Sequence, residues 1–442
     1  MRADARTPRT RTIGLLSKTA LTAALAVALA AATASAPALA SPAGLDGSSG
    51  AQRTNVAAPR AAATGTVTAH DGAFWLGTKQ ILLHGIGVGG LSGKDWDEVA
   101  SFNFNEVRTH VQWALLEPTA PTKNTDGTWK HTYDTTYLQH IVAGINAASN
   151  RGMYMLVNAA ICDDTSSEDT ACSPVGWPSW MFKSAYNSHG KTYDLTSDDG
   201  KNLAEGDFWV DNEMIQHMSD MWSWLAKQLS PVPGVLGYEI MNEPHKGYWD
   251  ASHATTQLLL DDQVKIAKAI RASDSKRVIF FATRAGSGLG LPNADLSGML
   301  SVGNVAFDLH NYFGARWGGG LSTGLNSAGE TKQDQYNSTF SGIPYFGTTL
   351  GQIRMVQTYL NVLRPVGIPL YIGEFGDANA DPGVMNYFGT TTSAFNQLNV
   401  SWNIHNNIYA TGQPGDWSLL YKDGSETPWL SQIIKPAALY QP

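Results

Sequence analysis

The stretch Val235-Leu236-Gly237-Tyr238-Glu239-Ile240-Met241-Asn242-Glu243-Pro244 reads as a buried strand that delivers an Asn-Glu pair to its C-terminal end. The β-compatible run carries the chain to Pro244, which cannot donate to a ladder and so ends it. Downstream, Leu370-Tyr371-Ile372-Gly373-Glu374-Phe375-Gly376 repeats the plan: a short apolar strand, a terminal Glu, and a glycine that lets the chain turn away. Glu243 and Glu374, 131 residues apart in sequence, are therefore expected to meet in one site at the mouths of two strands. In a parallel barrel the C-terminal strand ends are where catalytic groups collect.

Outward from these two stretches the chain alternates strand-like and helix-like segments. Strands are predicted at Ile81–His84, Glu106–His110, Met153–Val157, Val235–Met241, Val278–Ala282, Val305–Leu309, Pro369–Gly373 and Val400–Ile404. Helices are predicted at Asp95–Phe102, Thr136–Ala148, Phe208–Leu229, Leu258–Ala272, Ile353–Leu363, Val384–Leu398 and Trp429–Leu439. The segment after the fifth strand, with four glycines and a proline between Ala285 and Leu300, is the weakest helix. Eight short Val/Ile/Leu/Phe-rich strands with helices between them fit an α/β fold, a single (β/α)8 TIM barrel. A doubly wound sheet would alternate similarly, but here polar residues gather at the C-terminal ends of several different strands. A short N-terminal hairpin around His70-Asp71-Gly72 precedes the barrel, and long loops follow strands three and six, near 158–207 and 312–349. With Trp177-Pro178-Ser179-Trp180 in the first and Trp317, Tyr336 and Tyr345-Phe346 in the second, both are expected to wall a binding cleft.

At the N-terminus, Arg2, Arg6, Arg9, Arg11 and Lys18 precede an Ala/Leu-rich run from Leu21 to Ala32, and Ala38-Leu39-Ala40 offers a small-residue cleavage site. This is the pattern of a secretory signal peptide over 1–40, and the apolar run is shorter than the roughly 20 residues that span a bilayer. Residues 41–64, rich in Ala, Ser, Gly and Pro, read as a flexible leader to a catalytic domain over 65–442. Residues 1–40 hold five basic residues and one acidic, net +4, so their removal takes the chain from −8 to −12. Such an acidic protein is a poor partner for nucleic acid or an anionic membrane. Stable membrane insertion is not expected. Cys162 and Cys172 are the only cysteines, and in an exported chain they are expected to form a disulfide. Free thiols are the other reading; a metal site would need more ligands than this pair supplies.

Two carboxyls held in different protonation states can cleave a glycosidic bond. The alternative for each glutamate is a structural ion pair at a strand end. Five motifs carry a resemblance: Phe104-Asn105-Glu106-Val107-Arg108, Asn242-Glu243-Pro244, His310-Asn311-Tyr312, Gly373-Glu374-Phe375-Gly376 and Trp402, falling in order on strands two, four, six, seven and eight. In this the chain resembles glycoside hydrolase family 5, retaining β-glycosidases built on (β/α)8 barrels. The resemblance implies Glu243 as general acid/base and Glu374 as nucleophile, with neither a metal nor an organic cofactor. It also implies that Arg108 and Tyr312 support Glu374, Asn242 contacts the sugar 2-hydroxyl, His310 lines the site, and Trp402 forms a sugar-stacking floor. Arg108 also reads as a core salt-bridge partner of Asp308 or Glu239, and His310 as a satisfied core histidine.

The resemblance fails at one place. Where the family usually carries Asp-x-His at the end of strand three, this chain has Asn158-Ala159-Ala160, so Ala160 replaces the histidine. The expected substrate is a carbohydrate or glycoconjugate: a β-glucan or related β-linked glycan, or alternatively a lipid- or aryl-linked oligosaccharide. The latter follows from a likeness of Asp416-Trp417-Ser418-Leu419-Leu420 and the segment between strands three and four to the endoglycoceramidase-like branch. A carbohydrate-binding protein on an inactive scaffold is a reading of another class. Such a protein should have lost a glutamate or its Arg and Tyr support, and all are present.

Overall fold

Strands that are apolar on both faces need cover on both sides, and a closed ring with helices outside and a filled interior supplies it. The computed structural model describes residues 61–442 except 89, 92–94, 160–175, 245–252, 284–287, 289, 313–347, 380–382, 406 and 411–415. Its barrel strands, in order, are His84–Val88, Glu106–Val111, Tyr154–Ala159, Val235–Glu239, Val278–Ala282, Val305–His310, Leu370–Glu374 and Ser401–Ile404. Each pairs in parallel with the next, and the eighth closes on the first through Trp402–His84, Asn403–Gly85 and Ile404–Ile86. The fold is a (β/α)8 barrel.

The two-residue period of the strands sorts their side chains into two cores. Val107, Val157, Ile279, Phe307, Ile372 and Trp402 face the helices. Leu156, Leu236, Val278, Phe280, Ala306 and Tyr371 fill the barrel's interior together with Val67, Ala69, Phe74 and Ile81. The latter four come from a three-stranded antiparallel sheet, Val67–His70, Ala73–Leu76 and Lys79–Ile81, which plugs the N-terminal end of the barrel; the Phe74 and Phe280 rings lie 5.9 Å apart. Its first turn, Asp71-Gly72, has φ of 52° and 70°, the double left-handed geometry that suits a two-residue hairpin loop.

Three of the differences in boundary from the sequence reading have a clear physical reason. Ile81 belongs to the plug rather than to the first barrel strand, because the apolar run Ile81–Leu83 bridges two elements without interruption. Gly85 and Gly87 lie within that strand instead of ending it: a Cβ on Gly85 would stand 2.0 Å from Glu106 Oε2, so the glycine makes room for an inward carboxyl. The expected helix Phe208–Leu229 is two helices, Asp198–Phe208 and Asn212–Leu229, since Asp211 accepts from the backbone N–H groups of Glu213 and Met214 and starts a new helix.

After strand five only a turn at Leu291–Asn293 and a short helix, Ser297–Val302, form. In the loop after strand three, Trp177 and Trp180 are buried in the helix-side core, so neither is a wall of an open cleft. Cys162, Cys172, Ala160, the leader before residue 61 and loop residues 313–347 lie outside the described residues. Among the described residues no helix is long and apolar enough to cross a membrane.

Candidate active site

Inward-facing positions near the C-terminal strand ends carry charge instead of hydrocarbon. On strand two, alternation turns Glu106, Arg108 and His110 toward the axis. Arg108, wholly buried, donates through Nε and Nη2 to the two oxygens of Glu239 at 2.6 and 2.7 Å. Its Nη1 donates to Glu374 Oε1 at 2.8 Å and its Nη2 also to Asn242 Oδ1 at 2.7 Å. One guanidinium thus ties together the ends of strands two, four and seven, and both sequence readings of Arg108 hold at once.

Strand seven reaches the site through an irregularity. Leu309 pairs with Ile372 but His310 pairs with Glu374, so Gly373 is an extra residue and His310 and Glu374 emerge on the same side. Gly373 is required there: its N–H donates to Asp308 Oδ1 at 2.7 Å, and a Cβ would lie 2.3 Å from that oxygen. Glu243 sits four residues beyond the end of strand four, with φ of 41°, a left-handed conformation that costs a non-glycine residue about 1–3 kcal/mol. Such strain is commonly stored where a side chain must be aimed.

The two glutamates meet across His310. Its Nδ1 lies 2.8 Å from Glu243 Oε1 and 3.3 Å from Glu374 Oε2, and its Nε2 is 3.4 Å from Asp308 Oδ2. One polar atom each of Glu243, His310 and Glu374 fall within 4.8 Å of one another. Tyr312 donates its hydroxyl to Glu374 Oε2 at 2.8 Å. Their exposure differs: the Glu243 side chain is 23% accessible and that of Glu374 is 7%.

Electrostatics act strongly on the buried groups around them. Burial opposes ionisation of Glu374, but His310, His405 and Arg108 outweigh it and hold the carboxyl far below the usual carboxylate range. For His310 burial acts downward, and Glu374, Asp308 and Glu243 together carry the imidazole well above its ordinary value. Burial raises Glu239 to about 7 against the pull of Arg108. One layer deeper, burial lifts Glu106 to about 8 although Asn403 donates to it at 2.7 Å. Burial and the Arg108 cation push His110 down to about 3, so it is a neutral imidazole. Glu239, Asp308 and His310 also cluster within 4.8 Å, as metal ligands would, but Arg108 already supplies a cation to this group.

Trp402 is not a sugar platform. Its side chain has no accessible surface; it stacks on His84 at 4.4 Å and meets Phe104 and Phe375 edge-on, on the helix side of strand eight. The same alternation turns His405 inward, with Nδ1 3.6 Å from Glu374 Oε2 and 44% of the side chain exposed. Trp417 packs behind two residues that reach Glu374, its ring 6.0 Å from that of Tyr312 and 6.4 Å from that of His405. Counting by twos from the inward Asn403 would have found His405; Trp417 is legible only as part of the Asp416–Leu420 stretch, with no sign of what it packs against.

The family model "Cellulase (glycosyl hydrolase family 5)" matches residues 91–411, most of the chain and every residue just described except His84 and Trp417. The chain belongs to glycosyl hydrolase family 5. Among solved structures, endo-glycoceramidase II from Rhodococcus sp. as its lactosyl-enzyme intermediate aligns at TM-score 0.57 and 18% identity, over 83% of this chain and 80% of that one. An endogalactoceramidase aligns at TM-score 0.59 and 18% identity, over 85% and 84%. A broad-specificity endoglucanase from Clostridum cellulovorans aligns at 0.52 and 16%, over 81% and 93%. At these identities the likeness is one of fold. No curated protein sequence matches the chain. As a family 5 member the chain is a glycoside hydrolase, and its polar cluster lies where barrel enzymes hold their catalytic groups.

Proposed function

We propose that this family 5 enzyme cleaves β-linked glycosides by double displacement, with Glu374 as nucleophile and Glu243 as acid/base. The observation that carries the reading is the clustering of one oxygen from each carboxyl within 4.8 Å in unequal environments. Retaining sites hold their carboxyls about 5–5.5 Å apart, whereas inverting sites need roughly 6.5–9.5 Å to admit water. Ionised Glu374 attacks the anomeric carbon while Glu243 gives its proton to the departing oxygen. Glu243 then takes a proton from water, which displaces Glu374 from the sugar. Arg108 and Tyr312 keep Glu374 ionised and aimed, and Asn242, its Oδ1 committed to Arg108, offers Nδ2 to the sugar 2-hydroxyl.

The substrate is proposed to be a β-glucan or related β-linked glycan, met outside the cell after export through the N-terminal signal. A second reading, release of an oligosaccharide from a lipid or aryl aglycone, is favoured by Trp417. That residue belongs to the stretch resembling the endoglycoceramidase-like branch, and it packs beside Tyr312 and His405. A mass-spectrometric product screen of residues 41–442 separates the two, using soluble β-glucans and mannans, aryl mono- and diglycosides, and detergent-dispersed glycosphingolipids. Shortened glycan chains are expected. An intact oligosaccharide freed from lipid or aryl aglycone would favour the second reading, and no product from any of them would sink both.

A further inference from the structure

A groove of about 950 Å³ lies on the outer flank of the barrel, between the loop after strand two and the helix Asn212–Leu229. Neither glutamate of the active site lines it. Its aromatic residues are Trp129, Tyr133 and Trp224, all partly exposed, with the Tyr133 and Trp224 rings stacked at 4.4 Å. Its polar residues include Glu213, Gln216 and Asp220 along one face of the helix.

The carboxylates of this groove already face cations, and Lys227 stands exposed at its edge. Glu213 Oε1 accepts from Lys123 Nζ at 2.8 Å and from Trp129 Nε1 at 3.1 Å. Asp220 accepts from Gln216 Nε2 at 2.8 Å and lies 3.4 Å from His131 Nε2. His131 is anchored from behind by Glu117 at 2.6 Å, a carboxyl fixed in turn by Trp113 Nε1 at 2.9 Å. Burial lowers His131, but Asp220 and Glu117 carry it up to about 9, so it is an imidazolium at neutral pH. With Lys123 against Glu213, His131 between Glu117 and Asp220, and Lys227 at the edge, the three carboxylates and three cations balance, and the site asks for a neutral ligand. The parts of the aromatic rings left exposed beside the Tyr133–Trp224 stack and the Lys123-covered Trp129 ask for apolar C–H surface, and the fixed amide and carboxyl groups ask for hydroxyls. A neutral oligosaccharide has all three properties, and the volume, at the upper end of the roughly 300–1,000 Å³ of ligand sites, admits several rings.

We propose that this groove is a second saccharide-binding site, which holds a stretch of β-linked glycan outside the catalytic cleft. Tethering of this kind raises the effective concentration of a long chain at the glutamates and does nothing for a small substrate. It differs from the catalytic reading in its residues and its readout.

Affinity electrophoresis through gels holding mixed-linkage β-glucan or glucomannan reads chain binding, and hydrolysis of a small aryl β-glycoside reads the glutamate pair separately. The wild-type protein should be retarded. Trp129→Ala should weaken retardation about 3- to 10-fold, the worth of one lost aromatic contact. Gln216→Ala should weaken it about threefold, and both variants should keep the aryl-glycoside kcat/KM. Gln216 is exposed and alanine favours the helix, so this variant tests the groove even if Trp129→Ala folds poorly. Retardation undiminished in both variants, or no retardation of the wild type by either polysaccharide, would overturn the proposal. The same losses on adding Trp129→Ala or Gln216→Ala to the inactive Glu374→Gln protein would show that the difference in retardation does not come from turnover of the gel polysaccharide.

Discussion

Replacing Arg108 by Met would leave Glu239 and Glu374 facing each other at the barrel axis without their shared cation. Breaking a buried ion pair by removing one partner costs about 3–5 kcal/mol. Urea unfolding of Arg108→Met should show a loss of that size together with loss of turnover. Glu374→Gln removes the proposed nucleophile but keeps its shape, so turnover should fall by about three orders of magnitude or more with unchanged circular dichroism. Glu106 makes a pH prediction. Its folded pKa, about 8, lies above the unfolded value, so the stability it contributes is fully present below the unfolded pKa and is lost as pH rises through 8. The slope is at most about 1.4 kcal/mol per pH unit. Between pH 6 and 9 the melting temperature of the wild type should fall, and that of Glu106→Gln, with no proton to lose, should fall less. Equal slopes would mean that Glu106 is ionised throughout.

On the scale of elements, strand eight separates a packing role from a site role within three residues. Trp402 lies outward in the helix-side core, so Trp402→Ala should destabilise by about 3–5 kcal/mol while the folded protein keeps its KM. His405 lies inward beside Glu374, so His405→Ala should leave stability nearly unchanged and alter the pH profile of kcat. A rise in KM for Trp402→Ala without loss of stability would restore the platform reading.

The same contrast explains what was legible in sequence. Strands such as Val278–Ala282 and Val305–His310 stand out because both faces are apolar and flanking polar residues bound them. Glu243 and Glu374 stand out because each follows or ends such a strand, Arg108, Asn242, His310 and Tyr312 because they fall in the motifs that carry the family resemblance, and the structure brings all six together. Trp402 misled because a tryptophan at a strand end suits a core as well as a sugar, and only the phase of the alternation decides. The inward Glu106 and the extra residue at Gly373 escaped notice because each depends on a side chain of a neighbouring strand. Asp211, which divides the helix, carries a capping signal that the strong apolar periodicity on either side outweighed.

For the molecule as a whole, the folded unit should start near residue 61. Ala63 is buried, its N–H donates to Ser149 O, and its carbonyl accepts from Ser149 Oγ at 3.0 Å. A chain beginning at residue 61 should melt at the same temperature as one beginning at 41, and a chain beginning at 66 should melt lower. The barrel sets the division of labour: the antiparallel plug closes one end, and the charged layers occupy the other. The proposed chemistry belongs to the charged end, where Glu243 and Glu374 stand. The most direct test of the proposed mechanism is intact-protein and peptide mass spectrometry after incubation with an activated 2-deoxy-2-fluoro aryl β-glycoside of the sugar released in the product screen. Double displacement predicts a stable adduct of one sugar on the peptide bearing Glu374. Turnover of the parent glycoside with an adduct on another residue, or with none and an inverted product, would contradict it.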